Sequence, residues 1–123
     1  MNSSTLALIL ISVAMSAAAQ VLLKFGVQAA RPAPGAELSL LAALFRTLFH
    51  PLVIGGLALY GLGAVLWLGA LARTELSKAY PFVSLGFVLT AVAGALLFNE
   101  GLGMLRISGI ALIVVGVVLV SQS

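Results

Sequence analysis

The sequence predicts an all-α membrane protein with four transmembrane helices and a short interfacial helix between helices 1 and 2. Of its 123 residues, 63% are hydrophobic and only 7% are charged, whereas soluble proteins carry about 25% charged residues. A helix needs roughly 20 apolar residues to cross a bilayer. The chain therefore has room for four spans in a single domain, 1–123, with no soluble domain beside them.

The first span is predicted over about residues 5–25, where Leu, Ile, Val, Ala and Met predominate. Pro32 and Pro34 follow it and cannot continue a helix. The next apolar segment, 38–49, is too short to span a bilayer, so we expect it to lie in the interface or to lead into the second span.

Three further apolar segments predict the remaining spans, at about residues 52–72, 79–98 and 105–120. Polar connections separate them, at 73–78 and at 99–103. Pro81 is expected in the first turn of the third span, where a proline loses little hydrogen bonding.

Four spans place both termini on one side of the membrane. Arg73 and Lys78 fall on that side, and Arg31, Arg46 and Arg106 on the other. A difference of one positive charge does not fix the orientation. Two interpretations stay open: dual insertion or pairing with an oppositely oriented partner, and insertion set by features that the sequence does not reveal.

Composition excludes several classes of protein. The net charge of +3 is scattered over segment ends, which argues against nucleic-acid binding, and there is no cysteine for a disulfide or a thiolate metal site. His50, Glu37, Glu75 and Glu100 lie at segment ends without catalytic or metal-ligand spacing. We therefore expect no enzyme, no metal and no cofactor. No basic region precedes the first apolar run, so that helix is expected to remain in the mature protein.

A polar stripe runs through the first span, at Ser12, Ser16, Gln20, Lys24 and Gln28. Residues four apart lie along one face of an α-helix. Polar groups in a membrane helix face other protein or a water-filled cavity. The stripe is therefore predicted to point into the working interior of the protein.

Lys24 allows three interpretations. Near the end of its span it can extend to the interface at low cost. It can hold a lipid phosphate, with Gln20 and Ser16 binding sugar hydroxyls, or it can pair with Glu100 as a structural ion pair.

Aromatic residues and glycines mark the other spans. Trp67 lies inside the second span, where its indole N–H favours an inward position. Tyr80 either belongs to the interfacial aromatic belt or lines the cavity. Gly109 and Gly116, two turns apart in the fourth span, predict a close helix–helix contact between subunits, because four short spans enclose little space.

Together these features resemble the four-span members of the drug/metabolite transporter superfamily, which includes the small multidrug resistance exporters and EamA-type proteins. Within it the resemblance is greatest to the flippase subunits that carry aminoarabinose-phosphoundecaprenol across the bacterial inner membrane. It rests on the order of Ser16-x3-Gln20-x3-Lys24, Leu66-Trp67-Leu68, Ala79-Tyr80-Pro81 with Ser84-Leu85, Glu100 and Gly109 to Gly116.

Two positions depart from the drug exporters. Ser16 stands where they carry a membrane-embedded glutamate, and Val83 where they carry a tryptophan. Serine does not ionise in the relevant range, and the ring that would stack on a cation is absent. Antiport of cationic drugs is therefore disfavoured.

The resemblance implies a multi-pass inner-membrane flippase subunit for a polyprenyl-phosphate-linked sugar, working as a homodimer or with a homologous four-helix subunit. The residues expected to bind the substrate are Ser16, Gln20, Lys24, Trp67, Tyr80, Ser84 and Glu100. A small exporter of the same fold and a non-transporting membrane assembly protein are the alternatives.

Overall fold

The computed structural model describes residues 2–32, 35 and 38–123. Pro34 and Glu37, which entered the sequence predictions, lie outside these residues. The described chain consists of α1 (Ser3–Ala29), α2 (Leu40–Leu48), α3 (Pro51–Leu71), α4 (Leu76–Ala79), a 3₁₀ turn (Tyr80–Phe82), α5 (Val83–Leu97) and α6 (Met104–Ser121). Four helical segments are long and apolar enough to cross a membrane, with α4, the turn and α5 forming one of them. The predicted fold class is confirmed.

The first helix is longer than predicted at both ends. Asn2 caps it by accepting a hydrogen bond from the Thr5 N–H at 2.8 Å, so the helix begins two residues earlier. Its 27 residues span about 40 Å at 1.5 Å per residue, more than the roughly 30 Å hydrocarbon core. The end that carries Lys24 and Gln28 therefore reaches the membrane boundary when the helix stands near the bilayer normal.

The short helix α2 forms where the sequence predicts it. The Ser39 hydroxyl caps it by accepting from the Ala42 N–H, and none of its residues is buried. Arg46 ties it to the end of α1, since its Nε donates to the Ala30 carbonyl at 3.0 Å. A cation at a helix C-terminus also interacts favourably with the helix dipole. Its location at the membrane surface stays a prediction.

The third span begins at Leu76, three residues before the predicted start, and Pro81 lies inside it rather than at its beginning. Proline has no N–H and its ring clashes with the preceding turn of an α-helix. The tighter 3₁₀ turn at Tyr80–Phe82 accommodates it and joins α4 to α5. The polar connection is correspondingly shorter than predicted.

Helix α1 packs against α3 and α5, and α6 packs on α5 and the 3₁₀ turn. The approach of α3 to α1 is close because Gly56, Gly63 and Ala70, seven residues apart, are all buried. A Cβ at Gly63 would lie 3.3 Å from the Ser12 carbonyl oxygen. This contact fixes the rotation of α3 relative to the polar stripe.

The glycines of α6 are not covered in the same way. No atom lies within 4 Å of the position that a Cβ would take at Gly109 or at Gly116. No other helix of the described chain therefore uses this strip, and its contact with a second subunit stays a prediction.

Candidate functional site

Four adjoining cavities form one crevice, which follows the polar stripe of α1. Neighbouring cavities share lining residues. Counted from the end near α4, Ser16 and Tyr60 line both the first and the second cavity, Gln20 and Thr90 line both the second and the third, and Glu100 lines both the third and the fourth. From Ser12 to Lys24 the crevice follows α1 for about 18 Å at 1.5 Å per residue.

The aromatic cavity, at the α4 end of the crevice, has a volume of about 190 Å³. Trp67 and Tyr80 contact each other edge to face across it, with ring centroids 6.3 Å apart and an interplanar angle of 71°. Ser12 also lines it, but its hydroxyl donates to the Gly63 carbonyl at 2.7 Å. The first member of the stripe thus holds α1 to α3.

The middle cavity, of about 380 Å³, contains the centre of the stripe. Ser16 and Gln20 from α1 face Tyr60 from α3 and Thr90 from α5 there. Hydroxyl and amide groups donate and accept hydrogen bonds, so this part of the crevice can solvate a polar group at membrane depth.

The charged cavity, of about 170 Å³, is lined by Gln20 and Lys24 of α1, Thr90 and Gly94 of α5, and Glu100 from the following loop. Lys24 and Glu100 therefore lie in one site, yet their ammonium and carboxylate form no ion pair in this structure. The structural ion pair offered as one interpretation of Lys24 is not present.

Glu100 is brought into this cavity by the end of α5. Asn99 adopts the left-handed conformation, φ 53°, which Asn tolerates better than most residues. The chain thereby folds back, and the Glu100 N–H donates to the Gly94 carbonyl at 3.1 Å. The Glu100 carboxylate then lies against Gly94, in the space that a Cβ would occupy.

The mouth cavity, of about 690 Å³, is the largest of the four and lies beside the charged cavity. Phe87, Thr90, Glu100 and Arg106 line it. The Arg106 guanidinium donates to the Gly101 carbonyl at 2.7 Å, which holds it at the loop before α6.

Of the seven predicted binding residues, six line the crevice: Ser16, Gln20, Lys24, Trp67, Tyr80 and Glu100. Ser84 lines none of these four cavities, and its hydroxyl donates to the Pro81 carbonyl one turn earlier. The sequence interpretation missed Tyr60, Thr90 and Arg106. Tyr60 and Thr90 are polar positions in otherwise apolar segments, a signal that makes them candidates but does not show which way they face.

Within the described ranges, no three His, Asp or Glu side chains are grouped so that they could hold a metal ion.

Three relatives found by sequence comparison are all named as probable flippase subunits. The chain is 39% identical over 113 residues to a protein of Sodalis glossinidius named as a probable 4-amino-4-deoxy-L-arabinose-phosphoundecaprenol flippase subunit ArnF, covering 90% of this chain and 85% of the relative. A subunit ArnF of Photorhabdus laumondii is 39% identical over 92% of this chain and 93% of its own length. A subunit ArnE of Pseudomonas fluorescens is 32% identical over 96% and 97%. No family model matches the chain, and no solved structure matches it.

Proposed function

The chain belongs to the family of 4-amino-4-deoxy-L-arabinose-phosphoundecaprenol flippase subunits, and we propose that the headgroup of such a lipid crosses the membrane through the crevice beside α1. It is a multi-pass protein of the bacterial inner membrane. Its relatives are named as flippase subunits, that is, transporters rather than enzymes.

The observation that carries the proposal is the polar lining of this crevice in a largely apolar chain. A sugar phosphate loses its hydration when it enters a bilayer, and a polar group buried without a partner costs about 1–3 kcal/mol. Ser16, Gln20, Tyr60 and Thr90 offer replacement hydrogen bonds in the middle cavity. The polyprenyl tail stays in the lipid beside the helices.

Lys24 is proposed to hold the phosphate. It lies in the charged cavity, five residues before the last residue of α1, and this end of the helix is the one proposed to meet the lipid phosphates. An ammonium is a good partner for phosphate oxygens as a point charge. Gln20, one turn earlier, lines both the charged and the middle cavity and so connects the phosphate to the sugar path.

The Trp67–Tyr80 pair is proposed to close the opposite end. The two rings line the aromatic cavity in edge contact, beyond the last polar side chains of the middle cavity. Transport then requires these rings to separate, while the wide mouth cavity at Glu100 and Arg106 admits the headgroup in the state described here.

A second subunit is proposed to complete the transporter. The relatives are named as subunits of two kinds. In α3, glycines seven residues apart allow close contact with α1, and α6 carries the same spacing on a face that no helix of the described chain covers. Either a second copy or a homologous four-helix subunit fits this role.

The test is the accessibility of a labelled lipid-linked aminosugar in vesicles. Purified protein, alone and together with a neighbouring homologous subunit, is expected to speed the exchange of headgroups between leaflets. No acceleration in either preparation contradicts the proposal. Drug efflux without lipid exchange would instead favour the exporter, and tolerance of Leu at Ser16, Gln20 and Lys24 together would favour an assembly role.

A further inference from the structure

The charged cavity holds one ammonium and one carboxylate that do not neutralise each other. Lys24 and Glu100 both line it, with the neutral groups of Gln20 and Thr90 in the same cavity. Ionisable groups at membrane depth are costly and pair with one another or mark a substrate path. Two opposite charges that share a cavity without pairing suit a ligand that carries both signs.

The position of Glu100 is set by the backbone. Its N–H is bound to the Gly94 carbonyl, and its carboxylate rests where Gly94 lacks a Cβ. The arginine of the adjoining mouth cavity, Arg106, is held by the Gly101 carbonyl instead. The carboxylate is thus placed at the cavity, and no cation among the described residues pairs with it in this structure.

The lipid for which the relatives are named carries charges of both signs. Its phosphodiester is an anion, and its 4-amino group is a primary amine, which carries a positive charge when protonated. We propose that Glu100 binds the ammonium of the sugar while Lys24 holds the phosphate, so that the charged cavity selects a zwitterionic headgroup. This assignment rests on the proposed function and makes Glu100 its specificity residue.

Substrate comparison in the wild-type protein tests the assignment without any variant. Vesicles would carry the aminosugar lipid, the same lipid with its amine acetylated, or the same lipid with a hydroxyl in place of the amine. Hydrogen bonds to charged groups contribute about 1.5–3 kcal/mol, and 1.4 kcal/mol is tenfold. Wild-type protein is therefore expected to move the amine lipid about tenfold faster, or more, than either analogue, because both analogues lack the ammonium.

Variants at Glu100 and Lys24 locate the selectivity. Glu100→Gln should abolish the preference, so that the amine lipid and the two analogues move at similar rates, whereas Glu100→Asp should retain part of the preference. Lys24→Gln should slow all three lipids by a similar factor, because each carries the phosphate. Elution as a single folded species and unchanged helix content are required of every variant.

The outcomes separate this assignment from the flippase proposal. Equal wild-type rates for the three lipids would overturn the role of Glu100 and leave the flippase function intact. An equal loss for all three lipids in Glu100→Gln would also overturn it, because the residue would then act without regard to the amine. Failure of the wild-type protein to move any of the lipids would overturn the proposed function and the assignment with it.

Discussion

The carboxylate of Glu100 lies over the backbone of Gly94, in space that any larger residue at position 94 would need for its Cβ. The Glu100 Cδ is 3.2 Å from that Cβ position, and the Glu100 N–H binds the Gly94 carbonyl at 3.1 Å. A glycine in the last turns of α5 thus decides where the Glu100 carboxylate of the charged cavity points.

Gly94→Ala is expected to reduce transport without loss of stability. The atom displaced is the end of a flexible side chain, which can move away cheaply. Alanine in a helix is favoured over glycine by roughly 0.5–1 kcal/mol. The temperature of unfolding in detergent should therefore be unchanged or slightly higher. Transport of the aminosugar lipid should fall several-fold, because the carboxylate leaves its position.

Gly61→Ala is the matched control for this change. Gly61 also lies inside a helix, α3, but a Cβ there meets no atom within 4 Å. It should show the same gain in helix stability with wild-type transport. Equal transport in the two variants would mean that the position of Glu100 does not matter.

Lys24→Gln is expected to reduce transport of the lipid-linked sugar by about tenfold or more, as the loss of a charge-assisted hydrogen bond to phosphate predicts. Lys24→Arg should retain much of the activity, although its wider fork fits differently. The measurement is headgroup exchange per folded molecule. Wild-type exchange in Lys24→Gln would mean that Lys24 only extends to the interface.

Because Lys24 and Glu100 form no ion pair, exchanging their charges is not expected to restore stability.

Ser12→Ala is expected to destabilise the α1–α3 contact and leave the transport path open. The Ser12 hydroxyl bridges the two helices through the Gly63 carbonyl. Such interhelical bonds average about 0.6 kcal/mol and reach about 1.7 kcal/mol in membrane proteins. The variant should therefore unfold in detergent at a slightly lower temperature than the wild-type protein. Ser108→Ala is the control, because its exposed hydroxyl bonds only to the Met104 carbonyl of the same helix. Equal stability in the two variants would argue against a role for the bridge.

The spans could be predicted from the sequence because apolar length alone determines them. Their ends differ where a local interaction decides: the Asn2 cap extends α1, and the 3₁₀ turn at Pro81 lets the third span begin at Leu76. From the sequence alone, Pro81 favours the start of a helix. The tighter 3₁₀ turn, however, allows this proline inside a continuous helical segment.

The site was predictable on α1 but only in part elsewhere. The polar residues of α1 recur at helical spacing, so their common face is visible in the sequence. Helix α3 is apolar on all sides, and its rotation depends on how Gly56 and Gly63 meet α1, so Tyr60 could not be assigned a direction. Likewise, the meeting of Glu100 with Lys24 depends on the left-handed Asn99, which no periodic pattern encodes.

Gly63→Leu is expected to disrupt the fold of the single chain. A Cβ at this position already lies 3.3 Å from the Ser12 carbonyl oxygen and 3.4 Å from the Met15 Cβ. Overpacking of this kind costs typically about 1–3 kcal/mol. Lower yield of folded protein and earlier unfolding are the expected results. A variant as stable as wild type would contradict the close α1–α3 contact.

The glycines of α6 should behave in the opposite way. Nothing lies within 4 Å of a Cβ at Gly109 or Gly116, so Leu at either position fits the single chain without a clash. If a second subunit packs on this strip, the added side chain separates the helices where their backbones meet. Cross-linking in mild detergent should then show more monomer, with unchanged insertion and helix content.

Ala111→Leu is the control for the α6 strip, since at 3.6 residues per turn position 111 lies on the opposite side of the helix from both glycines. It is exposed and gains comparable bulk, so it should keep the parental oligomer. The comparison with Gly63→Leu separates the two uses of the same seven-residue spacing. In the proposed arrangement, the spacing in α3 stabilises the fold and the spacing in α6 joins subunits. Retention of the parental oligomer by both Gly109→Leu and Gly116→Leu would place the strip against lipid, and the subunit contact would have to lie on another face.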